Sequence, residues 1–117
     1  MYLRNILLAL FLAFVCFSTL FGQTSTGTVN GTLIDQAGAA VPGATVKLTS
    51  QATKIERQAT SNQDGYFTFV NVQPGDYTIY VEASGFKRTV TAPFTLGVSE
   101  TSTQNISLAV GNVSETV

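Results

Sequence analysis

Between Val29 and Leu108 the apolar residues fall on alternate positions in one short run after another, and nowhere do they recur at helical spacing. Side chains along an extended strand point alternately to opposite faces, so period two marks a strand with one buried face. In TVNGTLID, Val29, Gly31 and Leu33 share one face, and Asn30, Thr32 and Ile34 the other. In ATVKLTSQ, Ala44, Val46 and Leu48 oppose Thr45, Lys47 and Thr49. YFTFV sets Phe67 and Phe69 together, and DYTIYVEA sets Tyr77, Ile79, Val81 and Ala83 against Thr78, Tyr80 and Glu82. Turn residues divide the runs: Gly38, Pro42-Gly43, Asp64-Gly65, Pro74-Gly75 and Ser84-Gly85. These dipeptides supply the preset or left-handed backbone that a reversal needs.

About seven short strands follow, which predicts an all-β, Greek-key β-sandwich. TKIERQAT is polar on both faces, which suits a sheet edge. KRTVTAPFTLGV and TSTQNISLAV read as two looser strands. The inward set is Val29, Leu33, Val46, Leu48, Phe67 and Phe69, then Val72, Tyr77, Ile79, Val81, Phe86, Ile106 and Leu108.

The N-terminus differs in kind. Arg4 precedes an unbroken apolar run from Ile6 to Phe17, followed by small and polar residues, the layout of a secretory signal peptide. A spanning helix needs about 20 apolar residues, so the run is short for a membrane anchor. Cleavage after Gly22 is the preferred expectation and cleavage after Ser18 the alternative; an uncleaved anchor is a third outcome. The chain is therefore divided into a signal peptide (1–22), a flexible lead-in (23–26), a β-sandwich (27–110) and a C-terminal tail (111–117). Cys16, the one cysteine, lies within the apolar run, so the exported part holds itself together without disulfides. Removing Arg4 leaves five basic residues against seven acidic ones, with no basic patch for nucleic acid and no polybasic segment for a membrane surface.

The segments GTLIDQAGAAVPGATVKLTS and TSNQDGYFTFVNVQPGDYTIYVEASGF resemble the carboxypeptidase regulatory-like domain family. The resemblance rests on Asp35, on Gly43, Ala44 and Val46, and on Asp64, Gly65, Phe67 and Phe69. It continues through Pro74, Gly75, Tyr77, Ile79 and Val81 to Gly85 and Phe86. It implies a transthyretin-like sandwich related to collagen-adhesin B-type repeats and starch-binding-like folds. It implies nothing about activity, because the matched residues are turns and core. Gly65 and Gly75 relieve turn backbone, Pro74 presets φ, Phe67 and Phe69 fill the space between sheets, and Tyr77 buries its ring while its hydroxyl bonds backbone.

Composition restricts the chemistry. With no His or Trp, and no Cys after export, Ser-His-Asp and Cys-His catalysis and zinc sites built on His and Cys are excluded. The metal-binding residues of a carboxypeptidase catalytic domain are absent, so no enzymatic activity and no cofactor are expected. Asp35, Asp64 and Asp76 sit in turns, where Asp commonly bonds its own backbone. SNQDG lacks the alternating acids and distal Glu of a calcium loop. Lys47 and Asn105, the pair an intramolecular isopeptide bond would use, alternate out of phase with the core and should face solvent. Asn30, Asn105 and Asn112 begin Asn-x-Ser/Thr sequons, relevant only in a eukaryotic secretory pathway.

Two expectations concern partners. Tyr66 and Tyr80 lie on faces opposite the core and are the candidate glycan contacts. The tail LAVGNVSETV resembles the junction preceding the plug of a bacterial TonB-dependent outer-membrane receptor of the Oar-like kind. The sequence thus reads as a non-catalytic exported module at a bacterial envelope (periplasm, outer membrane or cell exterior). Its partners are a protein or a glycan, met by strand addition at an edge or through end loops. The alternative is a carbohydrate-binding module.

Overall fold

The computed structural model describes residues 1–17 and 25–111. Tyr2–Phe17 forms a helix, α1, of 16 residues. No helix among the described residues is long and apolar enough to cross a membrane. Both expected cleavage positions, Ser18 and Gly22, lie outside the described residues, as does the tail over 112–117.

The alternating runs become strands. β1 (Gly27–Asp35), β2 (Thr45–Ser50), β4 (Tyr66–Val72) and β5 (Gly75–Glu82) come from the four well-patterned runs, and β3 (Glu56–Thr60) from the polar TKIERQAT. Each looser run is broken in two: β6 (Thr89–Val90) and β7 (Phe94–Leu96), then β8 (Thr101–Thr103) and β9 (Ile106–Leu108). The first sheet is ordered β4-β1-β8, with β9 continuing β8 beside β1. The second is ordered β3-β2-β5-β6, with β7 continuing β6 beside β5. The nine strands therefore fill seven lanes, and the polar β3 lies at an edge as its sequence implies. Pairing is antiparallel except at the last lane, where β8 and β9 run parallel to β1, with Thr28 opposite Thr101 and Asp35 opposite Leu108.

Backbone amides and side chains together patch both broken lanes. Between β8 and β9 the Gln104 amide donates to Asn30 O at 2.7 Å, and Asn105 Oδ1 accepts the Thr32 amide at 3.2 Å. Between β6 and β7 the Thr91 amide donates to Ile79 O and Thr91 Oγ1 accepts the Ile79 amide, at 2.9 and 3.0 Å. Gly31 faces the first of these gaps. A Cβ there would overlap the Gln104 carbonyl and meet the Phe67 ring.

The core lies between the sheets. All thirteen expected inward residues are buried except Phe86, which is half-buried and packs against the cluster. Phe86 sits in the loop after β5, bridged to Val110, so one side of its ring remains open. Val41, Ala44 and Leu96 complete the core. Phe67 and Phe69 meet edge to face, with centroids 6.2 Å apart. Among the described residues the one buried polar residue is Ser61. Its hydroxyl donates to Val41 O at 2.8 Å and accepts the Ala44 amide at 2.9 Å, so its burial costs little.

Candidate functional site

The expected turn residues are placed by backbone need. Gly43, Gly65 and Gly85 adopt φ of 71°, 73° and 83°. At Gly65 a side chain would also collide with Leu33 O. Asp64 is not the residue that bonds this turn. Asn62 Oδ1 accepts the amides of Asp64 and Tyr66 at 2.9 and 3.0 Å, an arrangement the DG signal hides. Asp35 does bond its own turn, accepting the amides of Ala37 and Ala39, both at 2.9 Å. Asp76 accepts instead from Thr95 Oγ1 of β7 at 2.6 Å. Asp35 and Asp76 thus have separate structural duties, and no group of three metal-ligating side chains occurs among the described residues.

Tyr77 follows the Pro74-Gly75 turn. Its ring is 9% exposed and packs near Phe94, and its hydroxyl donates to Gln73 O at 2.6 Å. Beside it, an apolar groove of about 300 Å³ opens at the end of the sandwich, lined by Leu48, Ala52, Ile55, Val72, Pro74 and Tyr77. Ser50, Thr53, Asn71, Gln73 and Asp76 also line it. At its rim, Arg57 Nη1 donates to Val70 O at 2.8 Å, and the guanidinium lies over the Phe69 ring at 5.8 Å. Arg57 thereby joins β3, an edge of the second sheet, to β4, an edge of the first. Val70 and Asn71 form a bulge in β4, with Asn71 at φ 54°. Alternation alone does not reveal this contact, because the bulge that presents the carbonyl breaks the pattern. At the opposite end, a shallow depression of about 490 Å³ holds the exposed Glu82–Arg88 ion pair at 3.3 Å.

The two candidate glycan contacts are not brought together. Tyr66 is on β4 of the first sheet and Tyr80 on β5 of the second, each facing outward, so the sandwich stands between them. Tyr66 is 40% exposed. Tyr80 is half-buried, with Lys47 Nζ 5.6 Å from its ring centroid and Glu82 Oε2 accepting from its hydroxyl at 3.4 Å. Lys47 and Asn105 are likewise on opposite sheets, which removes the isopeptide pair. Asn30 lies on β1 and Asn105 between β8 and β9, both in the first sheet; Asn112 lies outside the described residues.

The carboxypeptidase regulatory-like domain family matches residues 28–109. No curated protein matches the sequence. Solved structures do resemble the fold. The TIE protein of Bacillus anthracis aligns with a TM-score of 0.63 at 16% identity, covering 74% of this chain and 17% of its own. BcpA, the major pilin subunit of Bacillus cereus, aligns with a TM-score of 0.60 at 22% identity, covering 74% and 31%. The 5-hydroxyisourate hydrolase of Klebsiella pneumoniae aligns with a TM-score of 0.57 at 21% identity, covering 73% and 92%. The chain spans less than a third of the first two structures. At such identities the likeness is one of fold, shared by pilin and enzyme alike.

Proposed function

Because this chain belongs to the carboxypeptidase regulatory-like domain family, we propose that it is an exported, non-catalytic β-sandwich module set in series within a bacterial envelope assembly. The observation that carries this reading is the parallel pairing of β1, the first strand in the chain, with the lane formed by the last two, β8 and β9. β1 begins at Gly27 at the end of the sandwich that bears the Pro74-Gly75 turn, and β9 finishes beside Asp35 at the other end. The chain therefore enters at one pole and leaves at the opposite one, about 26 Å away for a nine-residue strand. A module built this way adds length between whatever lies before it and whatever lies after it. The pilin subunit, of which the chain spans 31%, is a larger structure that includes a region of this fold.

Export rests on Arg4 and the apolar α1, and the non-catalytic role rests on a core whose one polar member among the described residues, Ser61, serves loop backbone. One form of such an assembly is the N-terminal extension of a TonB-dependent receptor. That version rests on the tail sequence alone, and a plug and barrel encoded in frame downstream would carry it. Fractionation of bacteria expressing the full chain with a C-terminal epitope tests the proposal. The epitope is expected in the envelope or the medium. Recovery from the cytosol would refute export.

A further inference from the structure

We propose that the outer face of the first sheet binds a neutral polysaccharide, with the Tyr66 ring as the stacking platform. This goes beyond the serial role and does not depend on it.

The two sheets differ in charge. β1, β4, β8 and β9 contain one charged residue among them, Asp35, at the last position of β1 and engaged by the amides of Ala37 and Ala39. The second sheet has Lys47, Glu56, Arg57, Asp76 and Glu82 on β2, β3 and β5. Soluble surfaces ordinarily intersperse both signs of charge, so a whole sheet face without charge signals a surface shaped by something other than solubility.

Hydroxyl and amide groups fill that face in rows. Thr68, Asn30 and Thr103 stand opposite one another across β4, β1 and β8, with Thr103 Oγ1 donating to Asn30 Oδ1 at 2.8 Å. Thr28 and Thr101 form a neighbouring row, and Tyr66 stands opposite Thr32 in a third. Rows two residues apart are about 7 Å from each other, and strands about 4.8 Å. Hydroxyls and primary amides both donate and accept, which matches the hydroxyls of a sugar. The exposed ring of Tyr66 offers an apolar face for the carbon–hydrogen side of a pyranose, and Thr68, one row away, is exposed.

The same chemistry argues against other occupants. An anionic polymer would want lysines or arginines, and these strands have none. A protein partner would want a cluster of buried aromatic or aliphatic anchors, whereas Val70 is the one exposed large aliphatic residue on these strands. Tyr80, already covered by Lys47, takes no part.

The test is a titration of the full-length protein with four neutral oligosaccharides, the hexaoses of β-1,4-glucose, α-1,4-glucose, β-1,4-xylose and β-1,4-mannose, with hexagalacturonate as the acidic control. Amide shifts are followed by NMR. At least one neutral hexaose should bind saturably and move the amides of Tyr66, Thr68, Asn30 and Thr103, leaving those of Lys47 and Tyr80 in place. Y66A should weaken binding tenfold or more, T68K should do the same by placing a charge in the next row, and Y80A should have no effect. The proposal is overturned by no saturable binding to any of the four at 10 mM, by preference for hexagalacturonate, or by shifts centred on the second sheet. It is also overturned if T68K abolishes a concentration-dependent dimer instead, which would make a second copy the occupant. Unchanged amide dispersion in Y66A and T68K separates lost binding from lost folding.

Discussion

At the scale of single residues, the most constrained position is Gly31. It shares the inward face of β1 with Val29 and Leu33, yet its place is fixed by the backbone of Gln104 crossing the gap between β8 and β9. G31A should cost about 2–4 kcal/mol, because the overlapping partner is backbone and the Phe67 ring is packed; thermal unfolding measures it. Ser61 is the counterpart among polar groups. S61A leaves the Val41 carbonyl and the Ala44 amide without their partner and should cost roughly 2 kcal/mol by the same assay. Lys54 should respond the other way. It holds φ at 60° in an exposed loop, so K54G should stabilise by about 0.5–1 kcal/mol through relief of left-handed strain. Some of these roles are legible in sequence. Phe67, Phe69, Tyr77 and Gly65 announce themselves because alternation and turn chemistry are local. Val41 and Leu96 do not, since Val41 lies in a loop and Leu96 in a three-residue strand too short to show a period. Gly31 reads as an ordinary alternating position until Gln104 is seen beside it.

At the scale of elements, β-pairing is decided by period two but sheet membership is not. Tyr66 and Tyr80 lie on equivalent outward positions of consecutive strands, β4 and β5. Those strands belong to different sheets because the Asn71–Pro74 reversal crosses the sandwich. Nothing in the local pattern distinguishes such a crossing from a hairpin within one sheet. The same blindness hides Arg57, which reads as a polar edge residue but reaches a carbonyl thirteen positions away on the other sheet. R57A should loosen this side. Hydrogen exchange at β3 amides is expected to quicken several-fold, with a stability loss of about 1–1.5 kcal/mol. R57K should not restore it, because a lysine cannot both stack on Phe69 and hold the bulge carbonyl with a planar fork. If β3 exchanges as before in R57A, the two sheet edges are not coupled through this contact.

At the scale of the whole molecule, the two broken lanes are the part the sequence underspecifies. Short runs with Pro93 or Gln104 at their centres read as loose strands, and only the assembled fold shows side chains completing their ladders. The direction of the last lane is equally hidden, since a strand's pattern is the same read from either end. That direction has a consequence for spin labels. Pairs placed at Thr26 and Gly111 in the full chain should report a separation of roughly 30 Å, consistent with a nine-residue strand plus flanking turns, whereas adjacent termini would give a far shorter distance. It also has a mechanical consequence. A tug applied through the two ends pulls β1 one way and β8 with β9 the other, along the strand axis. The bonds joining them are then loaded together in shear and must give way as a group, whereas a hairpin pulled from its open end unzips one rung at a time. A domain of this size would thereby resist stretching along this axis far more than along one that peels its strands apart in turn.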